Sequence, residues 1–242
     1  MQNNEVKFNS NINVLGGFPD YANMVRYVVD KINDVPDTDF SFRTEKSVKR
    51  FIAGIHQDVI LFKNQKHQDI IIDAFSSENL LIDQKLLVLF WHLCVNNRLF
   101  AIITEDYFMK SVYSGRVTLR PEEILSLLYE LRRQYPDELK WSDTTLKITA
   151  SKYLTMLKKL GLATGKQIKK IRYPTIGDEV FVILVRLALV VYPDDPSEQN
   201  PLFKFSFLEQ DSLLNRLKAI KFTPYWNITQ LGNNIKIELH HE

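Results

Sequence analysis

Residues 141–173 decide the fold of this chain, and they read WSDTTLKITASKYLTMLKKLGLATGKQIKKIRY. Ser142 or Asp143 can cap a helix, because their side-chain oxygens accept hydrogen bonds from the free N–H groups of a first helical turn. Gly161 favours the end of that helix, and the alternation around Gly165 predicts a short β element after it. The predicted helix has an apolar stripe at Leu146, Ala150, Tyr153, Leu154 and Leu157. It is therefore expected to bury one face and to present the other to solvent.

Charge is concentrated in the same segment. Residues 140–173 contain nine bases and one acid, Asp143, so they carry a net charge of +8. The whole chain has 31 Lys and Arg against 29 Asp and Glu, a net charge of +2, and everything outside the segment therefore sums to −6. A nearly neutral chain that gathers its cations in one place is typical of a polyanion-binding protein.

A second helix is predicted before this segment, and the order of the elements is that of a winged helix. Pro121 with Glu122 and Glu123 is a good helix start, because proline fits the first turn and carboxylates favour the positive end of the helix dipole. A helix, a short turn, a second helix and a β wing form the order of a winged helix, in which the second helix enters the major groove and the wing touches phosphate. The residues predicted to contact nucleic acid here are Lys147, Ser151, Lys152, Thr155, Lys158, Lys159, Lys166, Lys169, Lys170 and Arg172.

The first half of the chain shows helical patterns. Apolar residues recur at helical spacing in 20–32, Thr44 can cap the next helix, and 83–95 are apolar nearly all round, as a central helix would be. The Asn-rich residues 1–19 are expected to form a loose arm. A weaker patch lies at the start of the second helix and consists of Thr44, Lys46, Ser47, Lys49 and Arg50. Taken alone it is typical of an ordinary exposed helix start. Together with the basic segment it could form one long footprint, so we add Lys46, Lys49 and Arg50 to the predicted contacts.

These patterns predict a mainly α fold, in which a multi-helical N-terminal part precedes a winged-helix-like unit with a small β element. We place an N-terminal helical domain at 1–117 and a C-terminal winged-helix-like domain at 118–242. Residues 177–192 are predicted to form another buried helix. Residues 234–240 alternate strictly between apolar and polar side chains, so a closing strand is expected there.

Composition excludes several classes of protein. The single cysteine, Cys94, excludes a disulfide framework and a cysteine-based zinc site. The N-terminus lacks the apolar core of a signal peptide. The apolar runs at 86–95 and 180–192 are shorter than the roughly 20 residues that a membrane span needs. We therefore expect a cytoplasmic protein without a membrane partner.

Two short motifs resemble catalytic elements without meeting their chemical requirements. The stretch from Gly161 to Lys166 has one residue too few between its glycines for a phosphate loop, and Gln167 stands where Ser or Thr would bind magnesium. Residues 136–140 contain the acid–x–Lys element of metal-dependent nucleases. They fall in a turn between two helices, where the carboxylates are not aimed at a shared metal.

The histidines show no metal-ligand spacing either, and His92 and Cys94 are predicted to lie in the core. No nucleophile–base pair can be argued from the sequence. We therefore expect no enzymatic activity, no catalytic residues, no metal, no cofactor and no small-molecule substrate.

A set of short motifs carries a family resemblance. Around the central helix they are Trp141-Ser142-x-x-Thr145, Tyr153-Leu154-x-x-Leu157 and Leu160-Gly161-Leu162. Upstream are Gly16-Gly17, Thr44-x-x-Ser47-Val48-x-Arg50 and Glu105-Asp106-Tyr107 after an apolar helix, and downstream are Pro174 and the apolar run at 180–189. In their order and spacing, over roughly Val14 to Leu239, these motifs resemble the BrxA family, accessory proteins of BREX bacteriophage-exclusion systems.

The resemblance implies a cytosolic, non-catalytic, mainly helical protein whose N-terminal part is similar to an RNA-binding antitermination factor. It also implies binding of double-stranded DNA and a role in antiviral defence beside other BREX subunits, which would be further partners. The alternative from the residues themselves is an RNA-binding or protein-bridging helical module. Charge alone leaves DNA and RNA both open.

Overall fold

The computed structural model of the protein describes residues 8–35, 44–232 and 234–240. Of the chain, 61% is helical and the β structure consists of short strands. This confirms the predicted mainly α fold with a small β element. Positions 1–7 of the predicted arm lie outside the described residues.

The described residues up to Asn96 form a helical N-terminal part. Its helices are α1 (Asn11–Leu15), α2 (Tyr21–Ile32), α3 (Glu45–Asp58), α4 (Gln65–Ser76) and α5 (Ile82–Asn96). Thr44 caps α3 as predicted, and its Oγ1 accepts a hydrogen bond from the Ser47 N–H at 3.3 Å. The side chain of Asp20 caps α2 in the same way, at 2.9 Å from the Ala22 N–H.

Helix α5 is the central helix that its apolar sequence predicted. Every residue from Leu86 to Asn96 is buried, and α5 contacts α2 and α4. Trp91 is fully buried and donates its indole N–H to the carbonyl of Phe205 at 2.8 Å. A helix that is apolar all round is stable only when other elements surround it, which is the situation of α5.

The middle of the chain contains the two helices and the β element that the sequence predicts within residues 121–173. Its elements are α6 (Arg98–Ile103), a π-helical segment (Thr104–Met109), α7 (Lys110–Tyr113), β1 (Thr118–Leu119), α8 (Pro121–Gln134), α9 (Asp143–Lys159), β2 (Ala163–Thr164) and β3 (Lys169–Ile171). The three strands form an antiparallel sheet in the order β1-β3-β2, with Leu119 opposite Lys169 and Ala163 opposite Ile171. The strand β1 lies between α7 and α8 in sequence and was not predicted.

The last part of the chain packs a second apolar helix and a hairpin against the core. Its elements are α10 (Asp178–Val191), a 3-10 turn (Pro201–Phe205), α11 (Gln210–Leu217), a 3-10 turn (Ile220–Phe222), β4 (Trp226–Leu231) and β5 (Asn234–Leu239). The predicted closing strand is β5, and it pairs with β4, which the sequence reading missed, in antiparallel register from Trp226 and Leu239. Trp226 anchors the hairpin, because its buried indole N–H donates to the Leu217 carbonyl at 3.0 Å.

The expectation of a loose N-terminal arm is wrong for the described residues after position 7. Ile12, Leu15 and Phe18 are completely buried, and α1 contacts both α3 and α9. The Asn-rich composition misled the prediction, because asparagine side chains of this segment form hydrogen bonds with residues of α3. The side-chain amide of Asn11, for example, donates to Gln57 Oε1 at 2.8 Å.

The predicted domain boundary at 117/118 stays a prediction. Packing crosses it, since α1 contacts α9, and α10 contacts α4 and α5. The buried apolar residues belong to one continuous core that runs from Ile12 to Ile237.

In the described part of the chain, no helix by itself has the length and apolar character of a membrane span. The two stretches Ile82–Asn96 and Arg98–Tyr113 reach that composition only when taken together, with a bend of 110° between them.

Candidate nucleic-acid interface

Helix α9 is fixed in the fold by its cap and its apolar face. Ser142 is the N-cap, and its Oγ accepts a hydrogen bond from the Thr145 N–H at 3.2 Å. Tyr153 is fully buried, and its hydroxyl lies 3.0 Å from the Thr104 hydroxyl in the π-helical segment. With one face held in this way, the opposite face is presented to solvent, as the sequence predicted.

The exposed face of α9 carries Lys147, Ser151 and Lys158. These positions are separated by intervals of four and seven residues, so they follow one stripe along the helix. Thr155 lies beside the stripe, half-buried, and its hydroxyl donates to the Ser151 carbonyl at 2.9 Å. Among the described residues neither lysine of the stripe has an ion-pair partner.

The hairpin between β2 and β3 adds a second set of cations. Gly165 has φ +94°, and a Cβ placed there would lie 2.1 Å from the Ile168 carbonyl oxygen, so only glycine fits this turn. The turn exposes Lys166 and Lys170, and between them Ile168 is 66% exposed. Lys169 is half-buried, and its ammonium donates to the Lys166 carbonyl.

We call the exposed face of α9 and this hairpin the basic surface, and define it by Lys147, Ser151, Lys158, Lys166 and Lys170. Strand β2 contacts α9, so the helix and the hairpin are neighbours in the fold. The basic surface combines an exposed helix face with a cationic turn. Exposed lysines on such a surface can neutralise phosphates without losing an existing partner.

Lys152 and Lys159 have a different environment, because α1 covers them. A Cβ on Gly16 would lie 2.8 Å from both Lys152 Cβ and the Lys152 carbonyl oxygen, so the end of α1 rests directly on α9. Lys159 donates to the Gly16 carbonyl at 3.0 Å and also to the Phe18 carbonyl. Burial and the neighbouring charge of Lys152 lower the pKa of Lys159 to about 8. Lys159 therefore holds the chain after α1 in place.

Replacing Lys159 should therefore change stability, whereas replacing Lys158 should not. Lys159→Met leaves the Gly16 and Phe18 carbonyls without their donor, and we expect the free energy of unfolding to fall by about 1–2 kcal/mol. Lys158→Met is the matched control on the adjacent, exposed position, and a surface change of this kind shifts stability by less than about 0.5 kcal/mol. Chemical denaturation of the two variants is the measurement. Equal stability would show that Lys159 does not hold α1.

Arg172 follows β3 and is already engaged within the protein. Its guanidinium pairs with the carboxylate of Asp83 at 2.7 Å, and both side chains are about half exposed. Asp83 lies in the first turn of α5, so the ion pair joins the hairpin to the central helix. The sequence reading missed Asp83, because a contact across 89 positions leaves no local signal.

A second basic patch lies at the start of α3, a helix that contacts α1 as α9 does. We call it the α3 patch, and Lys46, Lys49 and Arg50, which define it, are exposed. Helix α1 joins the two regions, because Val14 Cγ1 lies 3.0 Å from where a Gly54 Cβ would stand in α3. The same short helix thus packs on both helices that carry the predicted nucleic-acid contacts.

The nuclease-like residues do not form a site. Asp137 is almost fully exposed and pairs with Lys140 at 3.6 Å, whereas Glu138 pairs with Arg98 at 3.2 Å. Within the described ranges there is no group of three or more His, Cys, Asp or Glu side chains placed to hold a metal ion. The carboxylates of the turn are thus bound to cations of the protein itself.

His92 and Cys94 are buried in α5, which confirms their predicted place in the core. His92 belongs to a buried chain of hydrogen bonds. The Lys63 N–H donates to His67 Nδ1 at 3.1 Å, His67 Nε2 lies 2.9 Å from His92 Nδ1, and His92 Nε2 lies 2.7 Å from the Val59 carbonyl. Burial lowers the pKa of His67 to about 3 and that of His92 to about 4, so both rings are neutral near pH 7.

Comparison with known proteins gives one match. The family model described as BrxA matches residues 40–187, more than half of the chain and the whole of α3 to β3. No curated protein and no solved structure matches the chain.

Proposed function

The chain belongs to the BrxA family, whose role is in BREX phage defence, and on that premise we propose that it is a non-catalytic accessory protein that binds double-stranded DNA through the basic surface. The family is an accessory family of BREX systems and not a known enzyme family. We place its action in the cytoplasm and expect other BREX subunits beside DNA as partners.

The observation that carries the proposal is the pairing of the exposed lysine stripe of α9 with the cationic hairpin. The elements follow the order β1, α8, α9, β2 and β3, and the sheet has the order β1-β3-β2. A winged helix would have this order, which supports the proposal. In helix-turn-helix proteins the second helix lies in the major groove, which is wide enough to admit it. Helix α9 would take that place, and Lys166 and Lys170 would contact the sugar–phosphate backbone.

The residues of the basic surface suit phosphate contacts better than base readout. Its cations are lysines, which act as point charges, and it has no arginine fork. Helix α9 has no Asn or Gln side chain that could read adenine edges, and Gln167 lies in the hairpin. Arg172 could contact DNA only if its ion pair with Asp83 were broken. We therefore expect binding with little preference for sequence.

Competition between nucleic acids tests the proposal against an RNA-binding function. Fluorescence anisotropy of a labelled DNA duplex should rise on addition of the protein, and an unlabelled DNA duplex should displace it at a lower concentration than an RNA duplex of the same sequence. The deep, narrow major groove of A-form RNA does not admit side chains. Displacement by RNA at tenfold lower concentration than DNA would favour the RNA-binding alternative. Absence of binding to either would reject a nucleic-acid function.

A further inference from the structure

A cavity lies between α7 and the chain that leads into α11. It has a volume of about 540 Å³, and its apolar lining includes Met109, Tyr113, Phe203, Leu208 and Leu213. This volume lies in the range of roughly 300–1,000 Å³ that is typical of ligand-binding pockets. We call it the Met109 cavity.

The edge of the Met109 cavity is acidic. Glu105, Glu198 and Glu209 border it, together with Lys110 and Lys204. The two lysines are engaged, since Lys204 pairs with Glu105 at 2.8 Å and Lys110 with Asp106 at 2.7 Å.

Glu209 makes no ion pair within the described part of the chain. Burial and the negative charge of Glu209 raise the pKa of Tyr113, whose side chain lines the cavity, although a hydrogen bond with Ser206 opposes this. The carboxylate of Glu209 therefore lies close enough to the cavity to act on Tyr113, and among the described residues it forms no ion pair.

Unusual backbone conformations occur on two sides of the Met109 cavity. The π-helical segment Thr104–Met109 supplies Glu105 and Met109, and π-helical turns are frequent at functional sites. On the other side, Phe207 precedes Leu208 and has φ +58°, a left-handed conformation that is costly for a bulky residue. Among the described non-glycine residues, only Asp34 shares a positive φ. The π-helical segment thus lines the cavity directly, and the strained Phe207 is the neighbour in sequence of its lining residue Leu208.

We propose that the Met109 cavity is a docking site for a short segment of a partner protein that carries an aliphatic or aromatic side chain beside Lys or Arg. The apolar lining would take the anchor side chain, because burying it removes apolar surface from water. The acidic edge, with Glu209 unbalanced, would pair with the flanking cation. Nucleic acid is a poor occupant, because its phosphates would face these carboxylates. The protein would then join DNA on the basic surface to a cationic protein segment at the Met109 cavity.

Charge reversal at Glu209 tests this docking site, with a control on the same helix. Glu209→Lys should weaken binding of a fluorescein-labelled peptide, in which Leu and Phe alternate with Lys, by about five-fold or more. Asp211→Lys makes the same change of charge at an exposed position of α11 that does not line the cavity, and it should weaken binding clearly less than Glu209→Lys does. Both variants should bind duplex DNA with wild-type affinity, so the peptide result is independent of the DNA-binding proposal.

Methionine methyl NMR locates the bound peptide. With ¹³C-labelled methionine methyls, the Met109 resonance should shift on titration, whereas Met24 in α2 and Met156 in α9 serve as internal references. A peptide with Ser in place of Leu and Phe, and one with Glu in place of Lys, should leave Met109 unchanged.

Three results would overturn the docking site. The first is an unchanged Met109 resonance with the cationic apolar peptide. The second is binding of the Glu-containing peptide with the same affinity as the Lys-containing peptide, because the acidic edge would then not select a cationic segment. The third is an equal loss of peptide binding in Glu209→Lys and Asp211→Lys, because the effect would then come from the charge of the region as a whole and not from the cavity.

Discussion

Reversing the charge of Lys147, Lys158 and Lys170 to Glu is expected to weaken binding to duplex DNA by about 100-fold or more at moderate salt. Each substitution removes one counterion-releasing contact and places a carboxylate opposite a phosphate. All three side chains are exposed, so the fold should tolerate the change. Fluorescence anisotropy with a labelled duplex measures the affinity, and circular dichroism checks the helix content.

A triple variant with the same change of net charge separates the basic surface from general attraction. Lys31, Lys66 and Lys218 are exposed lysines outside the basic surface and the α3 patch. Their reversal to Glu should weaken binding by no more than about five-fold, because charges farther than a Debye length are largely screened. If both triple variants lose the same affinity, DNA is not bound at the basic surface. If neither loses affinity, the α3 patch becomes the first place to test.

Acidification is expected to destabilise the protein steeply between pH 6.5 and about 4. In the unfolded chain His67 and His92 take up protons as the pH falls through 6.5, whereas in the folded protein burial lowers their pKa values to about 3 and about 4. The unfolded state thus binds up to two more protons in this window. Two protons give a slope of at most about 2.7 kcal/mol per pH unit in the free energy of unfolding. Above pH 6.5 this contribution to the slope vanishes.

The titration of Asp58 has the opposite effect and reduces the slope of the free energy of unfolding against pH. Burial raises its pKa, against hydrogen bonds from the side chains of Asn97 and Asn9. The folded protein therefore takes up a proton at Asp58 before the unfolded chain does. This uptake favours the folded state at the acidic end of the window.

Chemical denaturation at a series of pH values tests the histidine pair. His67→Gln and His92→Gln should each lower the slope by about 1.4 kcal/mol per pH unit, the value for one proton. The slope is the readout, so a variant that is merely less stable remains informative. The control is His56→Gln, which removes an exposed histidine from α3 and should keep the wild-type slope. A wild-type slope in both buried variants would contradict this account of acid destabilisation.

The elements of the fold that rest on local signals could be predicted from the sequence. Ser142 and Thr44 accept hydrogen bonds from their own first turns, and α5 is buried because its sequence is apolar on every face. Such features depend on residues within a few positions of one another, which a sequence displays directly. The hairpin after α9 is of the same kind, since Gly165 has the positive φ that the turn requires.

The candidate site could be predicted only in part, because distant contacts decide which cations are exposed. Lys159 belongs to the residues predicted to contact nucleic acid, yet its ammonium reaches Gly16, 143 positions away. Arg172 is paired with Asp83, 89 positions away. Helical spacing assigns Lys159, and the charge of the β element assigns Arg172, to the DNA-binding set, and only the packing of α1 and α5 separates them from Lys147 and Lys158. The missed strand β4 is similar, because its pairing with β5 is a tertiary contact.

The central claim is that the basic surface binds DNA by neutralising phosphates, and the salt dependence of duplex binding tests it most directly. If Lys147, Lys158, Lys166 and Lys170 each neutralise one phosphate, the logarithm of the binding constant should fall against the logarithm of salt concentration with a slope of about −3.6. The variant with Lys147, Lys158 and Lys170 reversed should retain only the contact of Lys166, with a slope of about −0.9. A flat response in the wild-type protein, or the same slope in both proteins, would contradict the claim.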